Sequence, residues 1–170
     1  MATSDPTTDP TLDRLLRHMA WANAALIAGL TDLPADDLVL AAPRNEWTVV
    51  LILDHLVAAA GRYAARLEGA PRPDRAPSPP TAAGLAQLAA DLATYDARIR
   101  AQAAMPDGPC DYADHSTGDR ARSTVLAQAI HHATEHRAQI AAALATNGID
   151  AIDLDALDLW SYGEAEGLGA

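Results

Sequence analysis

The sequence predicts an all-α protein, a four-helix bundle in a single domain that covers residues 1–170. Two observations favour helices: alanine, the best helix former, is the commonest residue, and apolar side chains recur every three or four positions along four long segments. A third argues against a β-sandwich, because aromatic residues make up only 4% of the chain and Phe is absent. Four amphipathic helices bury their apolar stripes most readily against one another, which favours a bundle.

The helical pattern has recognisable starts and stops. It covers about residues 11–30, 48–67, 81–105 and 123–146. Asp9 or Thr11 can cap the first segment and Thr48 the second, since these side chains accept hydrogen bonds from the free N–H groups at a helix start. Gly69 and Gly148 follow the second and fourth segments, where glycine readily adopts the left-handed backbone that ends a helix.

The segments between the helices have their own signatures. Five prolines within residues 70–80 predict an extended, Pro-rich connector between the second and third helices. Residues 106–120 are polar and are predicted to form a loop. The residues after Gly148 are predicted to form an irregular C-terminal tail.

Charge and cysteine content limit the partners and the compartment. The net charge is −11 and all 12 basic residues are Arg, which argues against nucleic acids and anionic membranes as partners. One cysteine, Cys110, fits a reducing compartment. The N-terminal residues lack the charged and apolar regions of a secretory signal, and no apolar stretch is long enough to span a bilayer. We therefore expect a soluble, cytoplasmic protein.

Two histidines in the fourth segment have the spacing of metal ligands. His132 and His136 are four residues apart and so lie on the same helix face, where two imidazoles can share one cation. That face continues through apolar positions, so the pair is on the buried side of the helix. The alternative from the pair alone is two histidines that are satisfied within the core or partly exposed.

A third histidine strengthens the metal hypothesis. His55 lies in the middle of the second helix beside its apolar stripe, and a bundle core is a usual place for a metal site. Three imidazoles leave one coordination position open, as in catalytic zinc sites. A thiol or a water in that position would lose its proton more readily, and the sequence does not choose between thiol transfer, hydrolysis and a metal without turnover.

Other side chains have weaker claims on this site. Glu135 could serve as an acid–base group, and Arg62 and Arg137 could bind a carboxylate of a thiol cofactor or substrate. Gln139 could orient an imidazole, and Tyr63 could line the pocket but fits the core better.

Three readings are disfavoured. The H-x-x-E-H pattern of inverted zinc peptidases also matches residues 132–136, but nothing in the chain supplies the sheet of those enzymes. A ligand role for His18 and His115 is disfavoured because neither has a partner in the sequence that would make it a ligand. The three tryptophans suit packing better than stacking against a bound molecule.

Four motifs in order along the chain resemble the DinB/YfiT-like superfamily of small metal-binding proteins. They are the segment 15–23 with its H-M-A-W-A-N run, Trp47 followed by Asp54-His55-Leu56, His132-x-x-x-His136-Arg137-x-Gln139, and Asp158-Leu159-Trp160-Ser161-Tyr162-Gly163. Two positions depart from the pattern: Ala138 stands where Gly is usual, and Glu135 stands where a further His is common.

The resemblance implies a metal-dependent helical bundle. Its members hold a divalent metal, zinc or nickel, with three histidines, which correspond here to His55, His132 and His136. Some are S-transferases or isomerases that use thiols such as bacillithiol or mycothiol, and many are homodimers. We therefore expect a metal-dependent enzyme that acts on a small molecule, with a low-molecular-weight thiol as a candidate cofactor. The alternative is a metal-binding or stress-response protein without catalysis.

Overall fold

The structure is a computed structural model that describes residues 9–42 and 46–168. Its elements are α1 (Pro10–Thr31), α2 (Ala35–Leu38), α3 (Val49–Glu68), α4 (Ala82–Ala101), β1 (Pro109–Cys110), β2 (Arg120–Ala121), α5 (Arg122–Ala145), a 3₁₀ helix (Asp155–Leu157) and α6 (Leu159–Ala165). The predicted all-α class is confirmed, since the only sheet in the described residues is the two-stranded hairpin of β1 and β2.

The four long helices share one apolar core. α3 packs against α4 and α5, and α1 packs against the same two helices. Side chains from all four are fully buried between them, among them Leu26, Ile52, Leu92 and Ile140. The faces of α3 and α5 that meet in this way carry the three histidines of interest.

The helix ends follow the predicted capping residues. Asp9 accepts hydrogen bonds from the N–H groups of Thr11 and Leu12, each at 2.9 Å, and Thr48 accepts one from Leu51. Gly69 ends α3 with a φ of 64°, in the left-handed region where a side chain would be strained. The first, second and fourth helix predictions are each correct to within one residue at either end.

The third helix is shorter than predicted. α4 ends at Ala101, whereas the apolar pattern predicts a helix to residue 105. Residues 102–105 form turns instead. Pro106 explains the early end, because a proline disfavours helical backbone at the residue before it and cannot donate to the preceding turn.

The connecting segments are partly more ordered than predicted. The connector 70–81 has neither helix nor strand, as its prolines predict, and Arg75 ties it to the carboxylates of Asp54 and Asp91. The prediction of an irregular C-terminal tail is wrong for the 3₁₀ helix and α6, which Asp158 caps by accepting a hydrogen bond from the Ser161 N–H. Helices this short show no apolar periodicity in the sequence.

No helix among the described residues is both long enough and apolar enough to cross a bilayer. The segment at the N-terminus for which no secretory signal is predicted, residues 1–8, lies outside the described residues.

Candidate metal site

Three histidines from two helices meet at one point. The Nε2 atom of His132 on α5 lies 3.2 Å from Nε2 of His55 on α3 and 3.0 Å from Nε2 of His136, one turn further along α5. The ring of His136 meets those of His132 and His55 edge to face, with centroids 4.1 and 4.9 Å away, and the rings of His55 and His132 are tilted by 41°. The packing of α3 against α5 thus brings together the three predicted ligands.

The spacing of these nitrogens suits a divalent metal ion. Zinc binds imidazole nitrogens at about 2.0–2.1 Å in tetrahedral geometry, which separates two ligand atoms by about 3.3 Å. The observed separations of 3.0 and 3.2 Å are close to this value. Three imidazoles are acceptable to zinc, nickel, copper and iron, so the ligand set fits a metal without selecting one.

Hydrogen bonding prepares His136 to be a ligand. Its Nδ1 donates to Oε1 of Gln139 at 2.7 Å, so in the neutral ring the proton is on Nδ1 and the lone pair is on Nε2. This contact is the one that an orienting role for Gln139 requires. His132 differs, because its Nδ1 is buried and has no hydrogen-bond partner among the described residues.

The environment of the site favours the neutral form of two of its imidazoles, His55 and His132. Burial, together with the neighbouring rings of His136 and His55, lowers the pKa of His132 to about 4. Burial, together with the charges of His136 and Arg62, also lowers the pKa of His55. Because only a neutral imidazole binds a metal, both rings are in the ligating form at neutral pH.

Aromatic side chains border the histidines on two sides. Trp47 lies with its ring centroid 4.8 Å from that of His55 and also stacks near His136. Tyr63 meets His132 edge to face at 5.6 Å, so it borders the site as well as packing against the core. His55 and His132 are only half-buried, which leaves this side of the site accessible.

The C-terminal segment does not cover the histidines. Tyr162 packs instead on His18 and Trp21 of α1. Trp160 is 83% exposed, so its predicted packing role is wrong. His18, which the sequence does not assign as a metal ligand, is buried, and its Nε2 donates to the Leu157 carbonyl at 2.8 Å.

The remaining predicted residues differ in their access to the site. Glu135 is exposed and does not belong to the group of three histidines that could hold a metal ion. Arg137 is buried at 3% exposure and donates to Asn23 Oδ1 and Thr134 Oγ1, so it holds helices together and is not free to bind a ligand. Arg62 is half-buried on α3, two turns after His55.

The structure also shows groups that the sequence does not reveal. Asn23 bridges α1 to α4 and α5, donating to Asp96 and accepting from Arg137. Asp111, His115 and Asp119 bring ligand atoms within 4.8 Å of one another in the hairpin region. These contacts join residues far apart in sequence or within an irregular loop, where no periodic pattern could signal them.

Comparison with known proteins agrees with the site. The DinB superfamily profile matches residues 18–140, which include most of α1, all of α3 and α4, most of α5 and all three histidines. A comparison with curated proteins gives no match. Because the profile covers well over half of the 170 residues, this chain belongs to the DinB superfamily.

Proposed function

We propose that this chain is a divalent-metal-dependent enzyme, built on a four-helix bundle, that transfers a thiol to or from a small molecule. The observation that carries the proposal is the convergence of the Nε2 atoms of His55, His132 and His136 within about one ligand spacing. Among the described residues no fourth His, Cys, Asp or Glu belongs to this group. Structural zinc usually has four protein ligands, so three ligands favour a site that receives a small molecule.

The bound ion, zinc or nickel, would supply one chemical effect: it would lower the pKa of a thiol, or of water, entering the open position. The chain supplies the rest. Gln139 hydrogen-bonds the ring of His136 through Nδ1, and Trp47 packs against the ring of His55. The small molecule would enter on the accessible side, past the half-buried rings of His55 and His132.

Two side chains at the rim could move protons. Tyr63 is half-buried, hydrogen-bonded to Gln128, and placed against the ring of His132. Burial raises the pKa of its hydroxyl, so it stays protonated at neutral pH and can donate a hydrogen bond. The charge of exposed Glu135 reaches the Tyr63 hydroxyl, and we keep it as a candidate for acid–base exchange with solvent.

One observation favours a second function, metal binding without catalysis. The cavity that touches His132 has a volume of only about 10 Å³, too small for a substrate. A substrate must therefore bind on the open side, beside Trp47, or not at all. The two functions make the same prediction for metal content and opposite predictions for turnover.

The metal is tested by elemental analysis of protein purified without an affinity tag. We expect close to one equivalent of zinc or nickel in the wild type, and at least a ten-fold lower content in His55→Ala. His131→Ala is the matched control, because His131 is exposed on α5 next to His132 and belongs to no ligand group. Metal-free wild type that takes up no ion on reconstitution would remove the proposal.

Catalysis is tested by presenting several cellular thiols with a panel of electrophiles to the metal-loaded protein. We expect thiol consumption above the uncatalysed rate in wild type and His131→Ala, and the uncatalysed rate in His55→Ala. Equal rates in all three proteins, with metal bound, would favour the non-catalytic function.

A further inference from the structure

A second cavity lies beside the histidine site. It has a volume of about 330 Å³ and is enclosed by α3, the connector 70–81 and α4. Its walls include Arg62 and Gly61 of α3, Arg72, Asp74 and Arg75 of the connector, and Tyr95 of α4. It is thus lined by more arginine than any other residue type.

Two of these arginines have no hydrogen-bond or ion-pair partner among the residues that the structure describes. Every other arginine in the described part of the chain donates a hydrogen bond within the protein. Arg62 and Arg72 form no hydrogen bond and no ion pair with any described residue. Arg75 is already paired with Asp54 and Asp91, and Asp74 is exposed at the rim without an ion pair to either free guanidinium.

The cavity is lined by three arginines and one aspartate, whereas the protein as a whole is acidic. The chain has a net charge of −11, so acidic partners for an arginine are abundant. A half-buried guanidinium such as Arg62 loses hydration that nothing in the described residues replaces. Arg72 is exposed at the mouth of the cavity and keeps its hydration. An oxyanion from solution would replace the hydration that Arg62 loses and could also pair with Arg72, since carboxylates and phosphates match the forked donors of guanidinium.

Helix geometry connects this cavity to the histidine site. Arg62 follows His55 by seven residues, or two turns, so both lie on nearly the same face of α3 with about 10 Å of rise between them. The positive charge of Arg62 acts on His55 and on His132, which places the guanidinium within electrostatic reach of both rings. Ala58 and Gly61 lie on the adjacent flank of α3 and line the same cavity as the connector residues.

The wall opposite the connector is rigid. A Cβ atom on Gly61 would lie 3.0 Å from the ring of Tyr95, so a side chain there would force the ring aside. The absence of a side chain lets Tyr95 pack directly on α3 and form one wall of the cavity. The space is therefore shaped by packing rather than left by an open loop.

We propose that Arg62 and Arg72 form an anion subsite that binds a carboxylate or phosphate of the thiol whose sulfur reaches the histidine site. This inference rests on the proposed function and narrows its substrate class to anionic thiols. The rise along α3 and the length of an arginine side chain place the anion on the order of 5–10 Å from the sulfur.

The subsite itself is tested on the metal-free protein by labelling arginines with phenylglyoxal. We expect 6-mercaptohexanoate or inorganic phosphate to slow labelling of Arg62 and Arg72 at least several-fold. Arg120, which is exposed and far along the hairpin, should label at an unchanged rate. Equal effects of the anions on all three residues would overturn the subsite.

The connection to the metal is tested in the full-length protein loaded with Co²⁺, whose thiolate absorption band reports sulfur binding. We expect 6-mercaptohexanoate to bind about ten-fold more tightly than 6-mercaptohexanol, and Arg62→Gln or Arg72→Gln to remove this preference. Arg120→Gln carries the same change of net charge and should keep it. Equal affinities of the two thiols in the wild type would overturn the inference while leaving the metal site intact, whereas failure to bind Co²⁺ would count against the proposed function and leave the labelling result to decide the subsite.

Discussion

Two histidine–aromatic clusters lie in this protein, and they differ in what their ring nitrogens face. At one, His18 is packed between Trp21 and Tyr162, and its Nε2 donates to the carbonyl of Leu157. At the other, the Nε2 atoms of three histidines face one another, and Trp47 and Tyr63 pack against the rings. Both clusters combine imidazole with aromatic rings, and both are at least partly buried.

The difference shows that burial and aromatic neighbours do not by themselves define a metal site. His18 has a carbonyl acceptor for its proton, so the protein satisfies it without an ion. In the second cluster, Nε2 of His132 lies 3.2 Å from Nε2 of His55 and 3.0 Å from Nε2 of His136, so each pair of nitrogens can share at most one proton. The Nδ1 atom of His132 has no hydrogen-bond partner among the described residues. The first cluster is satisfied within the fold, whereas the second is a group of ring nitrogens that could hold a cation.

The largest expected effect is stabilisation by the metal. Zinc at about a thousand times its dissociation constant should raise the free energy of unfolding by about 4 kcal/mol, because the ion binds the folded state. His132→Ala should remove this increment. His18→Ala should lower the free energy of unfolding by about 2 kcal/mol, through its lost packing and hydrogen bond, and retain the whole increment.

Chemical denaturation with and without zinc measures both quantities. The comparison between the clusters fails if His18→Ala loses the zinc increment, or if His132→Ala keeps it.

A smaller effect is expected at Asp96, whose carboxylate accepts from Asn23 between the two clusters. Burial raises the pKa of Asp96 from 3.8 to about 6. The folded state then binds this proton more tightly than the unfolded state, so the contribution of Asp96 to the free energy of unfolding should fall as the pH rises from about 4 to about 6. A shift of this size corresponds to about 3 kcal/mol. The lowered pKa of His132 contributes in the opposite direction, so the effect of Asp96 is measured as a difference between the variant and the wild type.

Asp96→Asn should remove this contribution, so the difference in the free energy of unfolding between variant and wild type should change across this pH window, as measured by denaturation of the metal-free proteins at several pH values. Asp91→Asn serves as the control, since Asp91 is less buried on the same helix. An unchanged slope in Asp96→Asn would show that other carboxyl groups cause the pH dependence.

The smallest effect is expected at Gln139, which orients one of the three ligands. Gln139→Ala should weaken zinc binding about ten-fold, because His136 loses the acceptor of its Nδ1 proton. Gln139→Glu retains an acceptor and should restore the affinity. The zinc dissociation constant is measured by competition with a chelator, and Gln87→Ala on α4 is the control. A Gln139→Ala protein that binds zinc with wild-type affinity would contradict the orienting role.

Local signals in the sequence were sufficient for most of the helical framework. Asp9, Thr48 and Gly69 act within one turn of their own positions, so their chemistry can be interpreted without knowing the fold. The end of α4 and the existence of α6 depend on competition between periodicity and other forces. Pro106 outweighs an apolar pattern in the first case, and packing of Tyr162 against α1 stabilises a short helix in the second.

For the site, spacing along one helix was informative and proximity between helices was less so. The four-residue interval places His132 beside His136 on any helix, and His55 could be added because a histidine in a core-facing stripe needs a partner. Two other features depend on how the helices and the connector pack. They are the hydrogen bond from buried Arg137 to Asn23, and the presence of Arg62 and Arg72 in the wall of one cavity. No interval in the sequence encodes these contacts.

The position of Trp47 gives the protein a built-in optical reporter. Its indole lies against His55 and His136, while Trp21 is beside His18 and Trp160 extends into solvent. An open-shell ion such as Ni²⁺ held by the three imidazoles would quench the fluorescence of this indole selectively, whereas closed-shell Zn²⁺ would chiefly shift its emission. Occupancy and identity of the ion can thus be followed in real time, without adding a dye.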